Sequence, residues 1–182
     1  MSKLISIQQE MEKVLSQINE DLLLEAAILL KRKKRIFVIG EGRSGLMAKS
    51  FAMRLMHLGA TSYVIGETIT PSITEDDLLV AISGSGKTKS VVWTAETARN
   101  IGCSVLVLST DSASPLYANG TSSICIPAST KYRKEHELKS IQPLGSLFDQ
   151  CAHIVFDTIC LYYAEVNNVE FEHAFSRHSN LE

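Results

Sequence analysis

The 182-residue chain is 45% hydrophobic and carries 18 Lys plus Arg against 20 Asp plus Glu, a formal charge of -2. That is the size and apolar content of a single domain with a substantial core, expected to span residues 1–182. No basic block marks a nucleic-acid footprint, which excludes a dedicated DNA or RNA binder. The start, Met1 to Lys13, lacks the order of a secretory signal. The apolar stretch Leu22 to Leu30 is broken by Glu25 and closed by Lys31-Arg32-Lys33-Lys34, far short of the ~20 residues of a membrane span. A soluble, cytoplasmic protein with no membrane or nucleic-acid partner is expected. Cys103, Cys125, Cys151 and Cys160 lie in apolar segments without C-x-x-C spacing, so they read as buried free thiols rather than a zinc site or a disulfide framework.

In chain order, Ile5, Met11, Val14, Leu15 and Ile18, then Leu22, Leu23, Ala26, Leu29 and Leu30, recur at helical spacing. They predict two amphipathic helices within residues 1–34, ahead of a sheet. Arg35 to Gly40 is a short β-branched run ending in glycine, and Ser44 to His57 has helical propensity until Gly59 stops it. Further short apolar runs follow at Ser62 to Ile65, Leu78 to Ile82, Val105 to Leu108 and Ile124 to Ile126. Between them come a loop with Pro71, a helix over Lys89 to Ile101 and a short helix near Pro115 to Ala118. Ser146 to Val166 predicts a long closing helix, and residues 167–182 a polar tail. Short apolar strands alternating with helices, over residues 35–166, specify an α/β fold with a five-stranded parallel sheet covered on both faces. The charged stretch Lys131 to Lys139 reads as a solvated loop.

Ligands of open parallel sheets bind beyond the carboxyl ends of the strands, where strand order reverses. With a flavodoxin-like order, strands one and three flank that point and bring two turns together: Gly40-Glu-Gly-Arg-Ser-Gly45 and Ser83-Gly-Ser-Gly-Lys-Thr88. Each opens a helix, whose unpaired N–H groups and positive dipole end suit a phosphate. Gly42, Arg43, Ser44, Ser83, Ser85 and Thr88 are the candidate phosphate-binding residues; helix capping is the other role open to these hydroxyls. Gly40, Gly42 and Gly45 also match the dinucleotide fingerprint, with Glu67 where a ribose-binding acid would lie, but a dinucleotide has no use for the second Ser/Thr turn. Gly86-Lys87-Thr88 fails as a P-loop because Ala81 stands where a glycine is required.

Ser83-x-Ser85-Gly86-x-Thr88 after a strand resembles the phosphosugar-binding loop of SIS (sugar isomerase) domains. Within that superfamily the chain is similar to the 6-phospho-3-hexuloisomerase family. The likeness runs through Gly40 to Gly59, Gly66 to Pro71, Ser83 to Thr88, Gln142 to Asp149 and Arg177 to Glu182. It implies a three-layer SIS fold and an isomerase interconverting 3-hexulose 6-phosphate and fructose 6-phosphate through an enediolate. It further implies no cofactor, a homotetramer with shared sites, and a 3-hexulose-6-phosphate synthase as pathway partner in formaldehyde fixation or detoxification.

The resemblance adds Gln142 to the substrate-binding set and places the base at Asp149, where the family usually carries Glu. A helix N-terminal carboxylate favoured by the dipole is the other role for Asp149. Glu67 is a second candidate carboxylate, serving directly or by orienting Arg43. His57, off the stripe Met47, Phe51, Leu55 and Leu58, is read either as reaching a neighbouring subunit's site or as a cation at a helix C-terminus. His178 in the tail is a further acid/base candidate. His136, His153 and His173 show no metal-ligand spacing, and no metal is expected. A sugar-phosphate-sensing regulatory SIS module, or an isomerase of a different phosphosugar, is the alternative function.

Overall fold

The computed structural model describes residues 2–133, 135 and 137–181, with Phe171 described for its backbone alone. Helices α1 (Lys3–Leu15) and α2 (Asp21–Arg32) come first. Strands β1 (Ile36–Ile39), β2 (Ser62–Val64), β3 (Leu78–Ile82), β4 (Ser104–Ser109) and β5 (Ser122–Cys125) follow, with α3 (Gly42–His57) after β1 and α4 (Lys89–Ile101) after β3. A single 3-10 turn, Tyr117–Asn119, precedes β5, and α5 (Ser146–Asn167) and α6 (Phe171–Ser176) complete the order.

The strands lie in the order β2-β1-β3-β4-β5, all parallel, so the expected flavodoxin-like sheet is the one formed. Its register follows from alternation on strands buried on both faces. Ile36, Val38, Leu78, Val80, Ile82, Leu106 and Leu108 enter the cluster beneath α2, α3 and α5. Phe37, Ile39, Leu79, Ala81, Val105 and Val107 enter the opposite cluster, which α4 covers with Val91, Ala95 and Ala98. A one-residue slip would exchange the two sets, which differ in size and in the helices they meet. Phe51 on α3 stacks on Phe156 of α5 with ring centroids 4.3 Å apart, fixing how these helices lie together.

The entries of β1 and β3 are pinned by an ion pair between half-buried Arg35 and buried Asp77. Arg35 donates to Asp77 through Nε at 2.9 Å and Nη2 at 2.6 Å, and the Thr74 N–H and hydroxyl donate to the same carboxylate. Burial alone would raise the Asp77 pKa, but the bonds from Arg35 and Thr74 and the guanidinium charge hold it below the ordinary carboxylate value.

Several element ends shift by one or two residues from the sequence-based expectation, and two departures have a clear cause. Strand β5 begins at Ser122 rather than Ile124, because backbone pairing with Leu106 and Val107 recruits Ser122 and Ser123 whatever their side chains. The polar tail contains α6, a helix too short to stand alone, which docks through the following Arg177 onto the end of α3. Among the described residues no helix is long and apolar enough to cross a membrane, and the four cysteines carry free thiols.

Candidate active site

Because β1 and β3 are neighbours, the turns that leave them open side by side. The segment after β5 returns across this edge and delivers the start of α5. Between them lies a cleft of about 340 Å³, lined by Gly42, Arg43 and Ser44 from the first turn and Ser83, Ser85 and Thr88 from the second. Thr130 and Lys131 form another wall, and Gly145, Phe148 and Asp149 a third.

Three helices point their N-termini at this cleft, and none is capped by a side chain. Glu41 stands at the N-cap of α3, yet its carboxylate turns away to accept from Ser90 Oγ at 2.7 Å. Thr88 at the N-cap of α4 shares a 2.8 Å hydroxyl bond with Ser83 instead. Gly145, preceding α5, has no side chain to offer. Side-chain capping, the competing role for these hydroxyls, is therefore absent; the Ser146 N–H of α5 is taken by Pro143 O at 3.1 Å, while the dipole ends of all three helices remain open to an anion.

The second turn is held from outside. Gly84 O accepts from Thr110 N–H at 3.1 Å and Thr110 Oγ1 at 2.8 Å, and Gly86 O from Leu116 N–H at 3.0 Å. Gly86 has φ +63°, and a Cβ there would fall 2.1 Å from Ser114 Oγ, so no other residue fits this bend. Ser85 Oγ accepts weakly from Lys87 N–H at 3.3 Å. At the first turn, a Cβ on Gly45 would sit 2.6 Å from Gly40 O. Close approach of helix to strand thus accounts for Gly40 and Gly45, and a φ of +56° for Gly42.

Asp149 is buried at the cleft and accepts from Ser44 Oγ at 2.8 Å, with Arg43 Nε 3.4 Å from its other oxygen. Burial pushes its carboxyl above the ordinary range, opposed by the Ser44 bond and the Arg43 charge. A buried carboxylate beside a hydroxyl and an exposed guanidinium is equipped to take up and return a proton.

The remaining sequence candidates lie elsewhere in this chain. Glu67 is exposed and sits 3.9 Å from Lys49 in a shallow groove with Met53, Met56 and Ile69. Arg43 faces Asp149, and no bond between Glu67 and Arg43 occurs among the described residues. Gln142 is buried, and its amide donates to Glu10 on α1 at 3.1 Å. His57 is buried beneath the tail, its ring stacked on His178 at 5.3 Å and its carbonyl accepting from Arg177 at 3.4 Å. His57 Nδ1 has no hydrogen-bond partner among the described residues. Burial, then Arg54 and His178, push its pKa down. His153 meets Asp157 at 3.5 Å on an exposed face of α5, and His173 lies in α6. His136 lies outside the described residues.

Thr130, Lys131 and Phe148 were not legible as site residues. Lys131 begins a run of charges that reads as solvated, and only the return of the chain across the sheet edge puts it on the cleft wall. Phe148 carries the packing signal of an apolar helix, yet its ring supports Gly84, whose Cβ position lies 3.1 Å from it.

A model of the SIS domain matches residues 29–154, which include β1 through β5 and most of the cleft. The chain belongs to the SIS domain family. Among its relatives, the 3-hexulose-6-phosphate isomerase of Bacillus subtilis (strain 168) is 42% identical over 148 residues, 81% of this chain and 80% of the relative. The enzyme of the same description from Mycobacterium gastri is also 42% identical over 148 residues, 74% of its own length. This SIS domain chain further superimposes on a Methanococcus jannaschii crystal structure with a TM-score of 0.84 at 31% identity, each covering 100% of the other. That structure is described as inferring a 3-hexulose-6-phosphate isomerase function.

Proposed function

We propose that this protein is an isomerase that interconverts 3-hexulose 6-phosphate and fructose 6-phosphate. The observation that carries the reading is the cleft itself: a buried carboxylate, Asp149, beside three uncapped helix N-termini and the hydroxyls of Ser83, Ser85 and Thr88. Relatives at 42% identity carry that activity in their descriptions and supply the sugar.

The phosphate occupies the second turn, where hydroxyl and backbone donors and the α4 dipole neutralise it. A phosphate on oxygen six prevents a 3-ketose from closing its five-membered ring, so the substrate enters open-chain. Asp149 removes the proton on carbon two, and the electron pair forms the carbon two to carbon three double bond as the carbonyl oxygen takes the charge. Arg43 and the open N-termini stabilise that oxyanion. Proton exchange between the two oxygens and return of the proton from Asp149 to carbon three leave the carbonyl on carbon two.

The working unit in this reading is a homotetramer in which α3 meets a second copy, supported by exposed Met53 and Met56 on that helix and Ile69 beside it. Its role is the step after a 3-hexulose-6-phosphate synthase, in formaldehyde fixation or detoxification, in the cytoplasm. The test supplies ribulose 5-phosphate, formaldehyde and the synthase, and follows fructose 6-phosphate with and without this protein; no protein-dependent product rejects the substrate. Ser83→Ala and Ser85→Ala are expected to weaken fructose 6-phosphate binding on the order of ten-fold each. Unaltered affinity contradicts the phosphate placement.

A further inference from the structure

Glu10 lies on the N-terminal helix, outside the sheet and outside the cleft, yet its carboxylate is the anchor of a segment 130 residues away. One oxygen accepts from Ile141 N–H at 2.7 Å; the other accepts from Ser140 Oγ at 2.7 Å and Gln142 Nε2 at 3.1 Å. Val14, fully buried one turn further along α1, fixes the helix that presents it.

Among the described residues the other hydrogen bonds of the segment it grips run within the segment itself, while Leu138 packs on the core. Glu137 accepts from the Thr130 N–H and hydroxyl, both at 2.7 Å. Arg133, in the left-handed region at φ +49°, donates to Ser140 O at 3.1 Å and to Gln142 O. One end of this closed loop is the cleft wall of Thr130 and Lys131. At the other end Gln142 is followed by Pro143 and then by Leu144 and Gly145, which also line the cleft and lead into the helix carrying Asp149. Leu144 is itself held at φ +52°, a conformation that a leucine keeps only where its flanks are fixed. Gly145 O then accepts from Asp149 N–H at 3.1 Å.

We propose that Glu10 is a positioning residue of the isomerase cleft: by clamping residues 140–142 from α1 it sets the wall at Leu144 and Gly145 and, through the same closed loop, the wall at Thr130 and Lys131. The clamp is charge-assisted. Burial would raise the Glu10 pKa, but the bonds from Ile141, Ser140 and Gln142 and the nearby Arg133 charge bring it below the ordinary value. These bonds favour the ionised carboxylate.

The catalytic consequence rests on the isomerase reading, and two measurements separate them. In Glu10→Ala, hydrogen exchange at Ile141 and Gln142 is expected to accelerate while the β1 and β3 amides keep their protection. With fructose 6-phosphate as substrate, KM is expected to rise on the order of ten-fold with kcat held within about two-fold, because Asp149 and Ser44 are untouched. Glu10→Gln, which keeps an acceptor for the Ile141 N–H, is expected to recover most of the KM. Wild-type exchange at Ile141 and Gln142 in Glu10→Ala overturns the proposal whatever the kinetics. So does faster exchange spread over the whole sheet with KM unchanged, the mark of a merely structural helix. A wild-type protein inactive on fructose 6-phosphate rejects the substrate reading, and the local exchange result then decides the clamp alone.

Discussion

Asp149 combines two tendencies that usually exclude each other, burial and ionisation. Its site raises the carboxyl pKa through desolvation, while Ser44 and Arg43 hold the ionised form in place. In its proposed role as base it must be deprotonated, so activity is expected to be lost as pH falls through that raised value. The acid limb of kcat/KM is expected above the ordinary Asp range. Asp149→Asn keeps the shape and the Ser44 contact but cannot accept the proton. Turnover is expected to fall by about 10² or more with phosphate affinity unchanged, and steady-state kinetics beside ligand titration would check both. Asp149→Glu is expected to retain turnover, since the Arg43 side chain is exposed and free to follow a longer carboxylate. Wild-type turnover in Asp149→Asn would remove this residue from the role of base.

At the scale of elements, the second turn does more than expose hydroxyls. Its backbone is threaded between the loop after β4 and the ring of Phe148, so its shape is set by two neighbours at once. Gly86→Ala would drive a methyl into Ser114 Oγ and force an unfavourable positive φ. A stability loss of about 1–3 kcal/mol is expected. Weaker binding of fructose 6-phosphate should accompany it, because Ser83 and Thr88 sit at the two ends of the displaced bend. Denaturation and calorimetry would test this; native stability with native affinity would mean that the bend relaxes without cost. The elements themselves were largely readable: the strands announced themselves as short apolar runs between helical segments. The boundary of β5 was not, because edge pairing rather than side-chain pattern sets it. Nor was α6, which depends on a docking site on α3.

Across the whole molecule, the contact between the tail and the end of α3 is expected to depend on pH. Burial disfavours the charged form of His57, with Arg54 and His178 adding repulsion and Arg177 against its carbonyl. Its folded pKa lies below the unfolded value of about 6.5, so the unfolded or undocked chain binds the extra proton. The docked tail is therefore stable above that pH and loses stability as pH falls below it. Asp77 works at a lower window: its depressed pKa contributes stability above its unfolded value of about 3.9, lost as pH falls through the folded one. Proteolysis of the tail is expected to accelerate between pH 7 and about pH 5.5 before the sheet unfolds, with His57→Gln reducing that dependence. A tail equally resistant at both pH values would refute the coupling. If His57 serves a neighbouring subunit's site, as the family resemblance implies, the same tail must move to release it.

Local chemistry in the sequence determined the sheet, its two Ser- and Gly-rich turns and the class of ligand they suit. Alternation, glycine placement and helix-start signals are all written within a few residues of where they act. The family motifs added the sugar and pointed to Asp149. What only the tertiary structure decided are relations between distant segments: Ser44 bonded to Asp149 rather than standing alone, Lys131 on the cleft wall, Gln142 turned to Glu10, and His57 covered by the tail. None of these has a local signal, because each depends on where a loop or helix returns after crossing the sheet. The two turns were legible for that reason, and the other walls of the cleft were not.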